Sequence, residues 1–156
     1  MLFRCRLVAD NASALTIREA CRDDSAKLAA LIGQLGYAVT ANEVAERLGL
    51  MIAEGRTVLA AELAGEVVGC LSTSVMRVLH RSAPVGRISM MVVDEGVRGR
   101  GIGSALVRAA EQALQAKGCY IVEVTSHLRR ADAHRFYEKL GYERTSVRLA
   151  RELGAR

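Results

Sequence analysis

The spacing of apolar residues along the chain predicts short strands alternating with amphipathic helices. After a strand at Leu15–Arg18, apolar residues recur at the three- and four-residue intervals of a helix, with Asp23 or Asp24 as its cap. A second helix is predicted to begin at a capping box formed by Thr40 and Glu43. The apolar positions of these two helices are Leu28, Leu31, Ile32, Leu35, Val44, Leu48, Met51 and Ile52.

The middle of the chain has the pattern of a β-hairpin followed by a buried strand. Thr57–Leu63 and Glu66–Val78 carry many apolar and β-branched residues on either side of a turn at Ala64-Gly65. Arg87–Val93 predicts a further strand. Its end, Met90–Val93, is apolar enough that we expect it to be buried on both faces.

The second half of the chain alternates between helix and strand. The pattern predicts a helix over Gly103–Lys117, a strand over Cys119–Thr125, a helix over Asp132–Leu140 and a last strand over Tyr142–Leu149. This order predicts an α/β (α+β) fold with a mixed sheet. Two strands joined by a crossing helix are expected to pair in parallel. The inward positions of the first of these helices are Leu106, Val107, Ala110, Ala113 and Leu114.

A glycine-rich turn, Arg98–Ser104, joins the buried strand to the helix that follows it. The unpaired amides at a helix start carry partial positive charge, which favours a bound anion. Glycines at positions 99, 101 and 103 let the backbone approach that anion closely, and Arg98 and Arg100 add charge. The turn therefore predicts a cradle for a pyrophosphate.

Two other phosphate-binding motifs fit this turn less well. A P-loop needs a lysine that is missing here. A dinucleotide-binding turn needs a third glycine at position 106, which is Leu106, although Glu123 lies about where its ribose-binding acid would be. A turn that binds no ligand is the remaining interpretation.

Composition and charge narrow the class of protein. The net charge of +5 suits a phosphate-bearing partner, but no dense basic block marks a nucleic-acid tail. Residues 1–14 lack the apolar core of a signal peptide, and no apolar run reaches membrane-spanning length. We expect a cytoplasmic protein with a loose leader over residues 1–14 and a single domain over 15–156. Four widely separated cysteines predict buried free thiols, and no metal site is predicted.

Two blocks of residues resemble the GNAT N-acetyltransferase superfamily. Arg98-x-x-Gly101-x-Gly103 matches its R/Q-x-x-G-x-G/A signature. A second block matches N-x-x-A-x-x-x-Y-x-x-x-G-[FY] at Ala133, Tyr137, Gly141 and Tyr142, with Arg130 in the place of the usual Asn. The resemblance implies a mixed, mostly antiparallel sheet with central splayed parallel strands flanked by helices. Within the superfamily the chain weakly resembles aminoalkylphosphonate and other small-amine acetyltransferases.

The resemblance also implies a cosubstrate, acetyl-CoA, and residues that hold it. An amide near Val92 or Val93 is expected to meet the oxyanion. Tyr137 is expected to act as the general acid, since a phenol pKa of about 10 is close enough to that of a thiol to return its proton; a plain core aromatic is the other interpretation. The implied cofactor-binding residues are Met91, Val92, Val93, Arg98, Gly99, Arg100, Gly101, Ile102, Gly103 and Ser104.

The acceptor side of the site has no obvious base, because Arg87–Val93 contains no acidic residue. We expect the amine to lose its proton through ordered water, assisted by His80 or Glu123. The structural alternatives are that His80 caps a loop and that Glu123 pairs with Arg129 or Arg130. Tyr37, between the first two helices, is expected to contact substrate. Arg81 and Arg87 would suit an anionic amine better than a polycationic one.

Four functions therefore remain open. One is a degenerate protein that binds the cofactor without turnover, against which the presence of Tyr137 argues. The other three are as follows. The first is acetylation of a small-molecule amine, without nucleic acid or membrane as a partner and with a homodimer as one expected assembly. The second is acetylation of a protein N-terminus or lysine. The third is a non-catalytic module that binds a nucleotide or nucleic acid, against which stand the few aromatic residues and the lack of a helix-turn-helix pattern.

Overall fold

The computed structural model describes residues 14–154, which form a five-stranded sheet with helices on both faces. The predicted leader lies almost wholly outside the described residues, as does Cys5. The strands are β1 (Leu15–Glu19), β2 (Val58–Leu63), β3 (Glu66–Met76), β4 (Val85–Val93) and β5 (Ile121–Val124). The helices are α1 (Ser25–Gln34), α2 (Ala41–Ala53), α3 (Ile102–Ala116) and α4 (Ala131–Lys139).

The strands lie in the sheet in the order in which they occur along the chain. Neighbours pair antiparallel except β4 and β5, which are parallel and joined through α3. Ala64 and Gly65 form the turn between β2 and β3, both with positive φ (52° and 79°), as the tightest hairpins require. The predicted mixed α/β sheet is confirmed, but the parallel pair lies at one edge of the sheet and not at its centre.

The predicted last strand over Tyr142–Leu149 is wrong, and this explains why the parallel pair is at the edge. Residues 143–154 form no strand and are exposed. Val147 and Leu149, which alternate as in a strand, are 78% and 91% exposed. A segment of alternating apolar and polar residues forms a strand only where the edge of a sheet pairs with its backbone N–H and C=O groups. This segment pairs with no strand among the described residues.

Two apolar cores lie on opposite faces of the sheet. One packs α1 and α2 against the sheet through Leu28, Leu48, Cys70 and Val92. The other lies beneath α3 and α4 and includes Leu71, Ile88, Leu106, Val107 and Tyr137. The predicted inward faces of the helices are confirmed, apart from Ile52, which is exposed at the end of α2, and Ala113, which is half-buried and belongs to neither core.

The start of α1 differs in detail from the prediction. Asp24 does not cap the helix with its side chain. Its buried carboxylate accepts hydrogen bonds from Arg18 at 2.8 and 2.9 Å and from the Cys21 amide at 2.8 Å. The bonds from Arg18 are the main reason that the pKa of Asp24 lies below its usual value. This network joins the first turn of α1 to β1. The capping box of Thr40 and Glu43 is formed as predicted.

The remaining predictions about the chain as a whole concern its cysteines and membrane spans. Cys70 and Cys119 are buried free thiols, as expected, whereas Cys21 is free and exposed. Burial raises the pKa of Cys70 to about 12. Among the helices of residues 14–154, none has the length and apolar character needed to cross a bilayer.

Candidate functional site

A cleft opens where β4 continues beyond its parallel partner. Val85–Ile88 pair with Ile121–Val124, and β5 then ends. The remainder of β4, Ser89–Val93, has β3 on one side and, among residues 14–154, no strand on the other. The expected burial of this end on both faces is therefore wrong: Met90, Met91 and Val93 are only half-buried, because the missing neighbour leaves them open to the cleft.

A β-bulge marks the point where the two parallel strands part. Ser72 pairs with Met90 and Thr73 pairs with Ile88, so Ser89 is an extra residue in β4. The Ser89 hydroxyl donates a hydrogen bond to the Ser72 carbonyl at 3.2 Å. Bulges bend the strand that carries them and increase its twist. This bulge therefore bends β4 beside the last rung that it shares with β5.

The open part of β4 presents main-chain groups to the cleft that are not bonded to a neighbouring strand among the described residues. The Asp94 amide donates to the Val68 carbonyl at 2.8 Å, so it points toward β3. Because successive amides in a strand point to opposite sides, the Val92 amide also points toward β3 and those of Met91 and Val93 point into the cleft. Arg98 Nε donates to the Val93 carbonyl at 3.1 Å, which places that carbonyl on the cleft side as well.

The glycine-rich turn lies at the outer end of this open segment. Gly99 and Gly101 have φ values of 77° and 78°, a left-handed conformation that favours glycine. Gly101 is the N-cap of α3, and the first helical bond runs from the Ala105 amide to its carbonyl. Within residues 14–154 the three preceding amides, from Ile102 to Ser104, have no acceptor. These groups fit the predicted pyrophosphate.

A glutamine at the end of α1 holds the chain where it leaves β4. Gln34 Nε2 donates to Asp94 Oδ2 at 3.2 Å, and Gln34 Oε1 accepts from the Glu95 amide at 3.1 Å. The Asp94 carboxylate also accepts from the Gly96 amide at 2.8 Å. Gln34 was not predicted from the sequence, because a single polar residue at a helix end has no pattern that distinguishes it. The clamp connects α1 to the start of the glycine-rich turn.

The first turn of α3 packs closely against α4. A Cβ atom added at Gly103 would lie 3.2 Å from the Phe136 ring and 3.8 Å from the Met91 methyl group. Phe136 and Tyr137 form an edge-to-face pair with ring centroids 5.1 Å apart, and Tyr137 forms another with Tyr142 at 5.5 Å. Because residue 103 is a glycine, the glycine-rich turn can pack against both the open segment of β4 and the aromatic residues of α4.

Tyr137 is a core residue whose hydroxyl reaches the surface. The residue is 7% exposed, and its hydroxyl has no hydrogen-bond partner in the described part of the chain. Since no fully buried side-chain oxygen there lacks a partner, this hydroxyl must contact solvent. Burial raises the pKa of Tyr137 to about 12, so the phenol stays protonated at neutral pH. Tyr142, by contrast, donates to Glu111 at 2.8 Å, and its pKa is raised mainly by burial.

The three predicted substrate residues are not brought together. Glu123 accepts from Arg87 Nε across the parallel rung at 2.6 Å, so its expected pairing with Arg129 or Arg130 is wrong. His80 lies in an exposed turn between β3 and β4, at the end of β4 opposite the glycine-rich turn. Tyr37 is 64% exposed between α1 and α2.

Arg81 and Arg130 each form a hydrogen bond with another part of the chain. Arg81 donates to the Tyr120 hydroxyl at 3.3 Å, beside the start of β5. Arg130, in the place of the usual Asn, is the N-cap residue of α4 and donates to the Leu35 carbonyl at 3.4 Å. In the described residues no group of three or more His, Cys, Asp or Glu side chains is arranged to hold a metal ion.

Comparison with known proteins agrees with this geometry. A family model described as Acetyltransferase (GNAT) family matches residues 24–142. The chain is 37% identical over 89 residues to an aminoalkylphosphonate N-acetyltransferase of Salmonella typhimurium, covering 57% of this chain and 58% of that protein. The match therefore spans less than two thirds of that relative.

Two further relatives cover most of the chain. An aminoglycoside N(6')-acetyltransferase type 1 of Stenotrophomonas maltophilia is 33% identical over 142 residues, covering 86% of this chain and 90% of that protein. A solved aminoglycoside N-acetyltransferase in complex with CoA has a TM-score of 0.81 and 20% identity, covering 95% of this chain and all of that chain. At that identity the second likeness shows the fold alone.

Proposed function

Because this chain belongs to the acetyltransferase (GNAT) family, we propose that it transfers the acetyl group of acetyl-CoA to the primary amine of a small molecule. The observation that carries the proposal is the cleft between β4 and β5. Main-chain groups of Met91 and Val93 point into it, and the free amides of the glycine-rich turn lie at its outer end.

Acetyl-CoA would lie along this cleft. The amides of Ile102–Ser104 would bind the pyrophosphate, with Arg98 and Arg100 close enough along the chain to add charge. The open edge of β4 would bind the pantetheine arm. When bound, acetyl-CoA supplies an activated thioester carbonyl for attack by the amine. Of the two amides proposed for the oxyanion, that of Val93 faces the cleft, so it is the donor we favour.

Tyr137 would supply a proton to the departing sulfur. Its hydroxyl reaches the surface, has no partner in the described chain and stays protonated because its pKa is about 12. Transfer of that proton to a free thiolate of pKa about 8.5 runs uphill by on the order of 5 kcal/mol. Tyr137 would therefore act first as a hydrogen-bond donor to sulfur, and the proton released by the amine would offset the cost of completing the transfer.

Removal of the amine proton would occur through ordered water beside Glu123. Of the two candidate groups, Glu123 lies on the rung next to the point where the cleft closes, whereas His80 lies in a turn at the far end of β4. The carboxylate is partly exposed, which leaves room for water beside it. Glu123→Gln is expected to lower kcat/KM most at low pH, where nearly all of the amine is protonated.

The proposal is tested by calorimetric titration with acetyl-CoA, followed by thiol release on a panel of amines. We expect micromolar binding and release with a small amine. We also expect Tyr137→Phe to lower kcat by about 100-fold while acetyl-CoA still binds, since acid–base groups contribute 10²–10⁴. Because the pKa of Tyr137 is about 12, no loss of activity below about pH 11 should come from this residue. Failure to bind acetyl-CoA would overturn the proposal.

A further inference from the structure

An ion pair between Arg87 and Glu123 lies one rung inside the closed end of the cleft. The two residues are partners on one rung of the parallel ladder, and the next rung, Ile88 with Val124, is the last before the strands part. Arg87 Nε donates to Glu123 Oε1 at 2.6 Å. Among the described residues no other ion pair joins β4 to β5.

Both side chains project from the face of the sheet opposite α3. A Cβ atom at Gly86 would meet Leu114 of α3, and Ile88 is buried beneath the same helix, so Arg87 between them points the other way. Val122 and Val124 likewise pack on the α3 side, which leaves Glu123 on the face of Arg87. The Arg87 and Glu123 side chains are 36% and 40% exposed, so solutes reach them.

The position of the pair suits the acceptor and not the phosphates of the cosubstrate. The glycine-rich turn begins beyond Val93, which lies six positions after Arg87 along β4, about 20 Å away. A molecule that enters at the glycine-rich turn and follows the open strand therefore ends one rung short of this pair. That is the point where a second substrate would meet its reactive end.

The ion pair between Arg87 and Glu123 can also be replaced by ion pairs to a bound ligand. Partly exposed ion pairs contribute little to stability, so opening one costs little free energy. A molecule with both an ammonium and an anionic group would replace one ion pair by two. The planar guanidinium of Arg87 binds phosphonate, phosphate or carboxylate through two parallel hydrogen bonds, and the carboxylate of Glu123 accepts from an ammonium.

We propose that Arg87 and Glu123 select acceptors that carry an anionic group close to the amine, the ion pair opening to bind both ends. This inference rests on the proposed acetyl transfer and names the substrate class of the same site. Neighbouring strands are about 4.8 Å apart, so the amine and the anion must be only a few bonds apart. A polycationic amine would meet Arg87 without an anion to bind it.

The test compares acceptors that differ only in their anionic group. The probes are 2-aminoethylphosphonate, β-alanine and propylamine, assayed by thiol release, with calorimetry of each probe in the presence of CoA. The variants are Arg87→Gln, the charge-retaining Arg87→Lys, and Arg144→Gln as the control. Arg144 forms an exposed ion pair with Glu138 outside the cleft, so its loss removes the same kind of interaction elsewhere.

Wild type is expected to prefer an anionic acceptor over propylamine. Arg87→Gln should lower kcat/KM for that acceptor about 10- to 100-fold, as for loss of a hydrogen bond to a charged group, and by a much larger factor than kcat/KM for propylamine. Arg87→Lys should recover part of the preference, and Arg144→Gln should behave as wild type. Whichever of phosphonate and carboxylate shows the larger loss identifies the anion.

Equal use of all three probes by wild type, or a parallel loss on all three in Arg87→Gln, would overturn the inference. The calorimetric measurement keeps this failure distinct from failure of the proposed function. If acetyl-CoA does not bind, the proposed function fails. If acetyl-CoA binds and the anionic probes do not bind more tightly than propylamine, only the inference fails.

Discussion

The two halves of β4 have the same neighbour on one side and opposite roles. Val85–Ile88 lie between β3 and β5, and their main-chain groups are taken up by the sheet. In the described part of the chain, Ser89–Val93 pair only with β3. The closed half holds the sheet together, and the open half offers main-chain groups to a ligand. A strand thus becomes a binding surface where its neighbour stops, without any change in its apolar character.

The largest expected effect comes from removing one free amide in the open half. Val93→Pro deletes an N–H that faces the cleft and leaves the bonds to β3 intact, and Val92 before it already has the extended backbone that a following proline prefers. We expect kcat to fall by about 10²- to 10³-fold, as for loss of one oxyanion donor. The melting temperature should change little.

Val92→Pro is the matched control for that change. The Val92 amide points toward β3, so proline there removes a ladder bond and should destabilise the fold by about 3 kcal/mol. If the two prolines cost equal stability, or if Val93→Pro keeps full activity, the assignment of the amides to the two sides of β4 is wrong. Thermal unfolding followed by circular dichroism separates the two cases.

The closed half, Val85–Ile88, is tested by adding a methyl group at Gly86, where the strand packs against α3. A Cβ atom at Gly86 would lie 2.8 Å from Leu114, a fully buried side chain of α3. Overpacking of this kind costs about 1–3 kcal/mol, more than the 0.4–1 kcal/mol gained from a stiffer unfolded chain. Gly86→Ala should therefore lower the melting temperature by about 2–4 °C, and KM for acetyl-CoA should not change. A rise in that KM would show that the closed half also shapes the binding surface.

The smallest effect is expected for the corresponding substitution beside the open half, Gly103→Ala. A Cβ atom at Gly103 would meet the Phe136 ring at 3.2 Å, in the first turn of α3. Alanine favours a helix over glycine by about 1 kcal/mol, which offsets the crowding, so the melting temperature of Gly103→Ala should match wild type within about 2 °C. KM for acetyl-CoA should rise by roughly threefold as Phe136 shifts. A loss of stability as large as that of Gly86→Ala would contradict the comparison.

The sequence predicted the elements far better than the contacts between them. The helices, the hairpin turn at Ala64-Gly65 and the glycine-rich turn have local signals, because capping residues and apolar spacing act within a few residues. The predicted last strand is wrong because a strand depends on a neighbour that its own residues do not specify.

The site shows the same division between local and long-range information. The glycine-rich turn was predicted from its own residues and Tyr137 from the resemblance, and both are now the basis of the proposed function. Three other features of the site depend on the pairing of residues far apart in sequence. They are the side of β4 to which each amide points, the bulge at Ser89 and the hydrogen bonds of Gln34. The predicted ion-pair partner of Glu123 was wrong for that reason, since its actual partner, Arg87, is 36 residues away along the chain.

The strand order has a consequence for how the molecule folds. Because β2, β3 and β4 follow one another with short connections, their pairing closes only small loops and has a low contact order. The rung between β4 and β5 forms only after the chain has passed through the whole of α3. We expect the folding nucleus to contain the antiparallel strands, with φ-values near zero at Arg87 and Glu123. The inner end of the cleft would then be completed last on folding and lost first on unfolding.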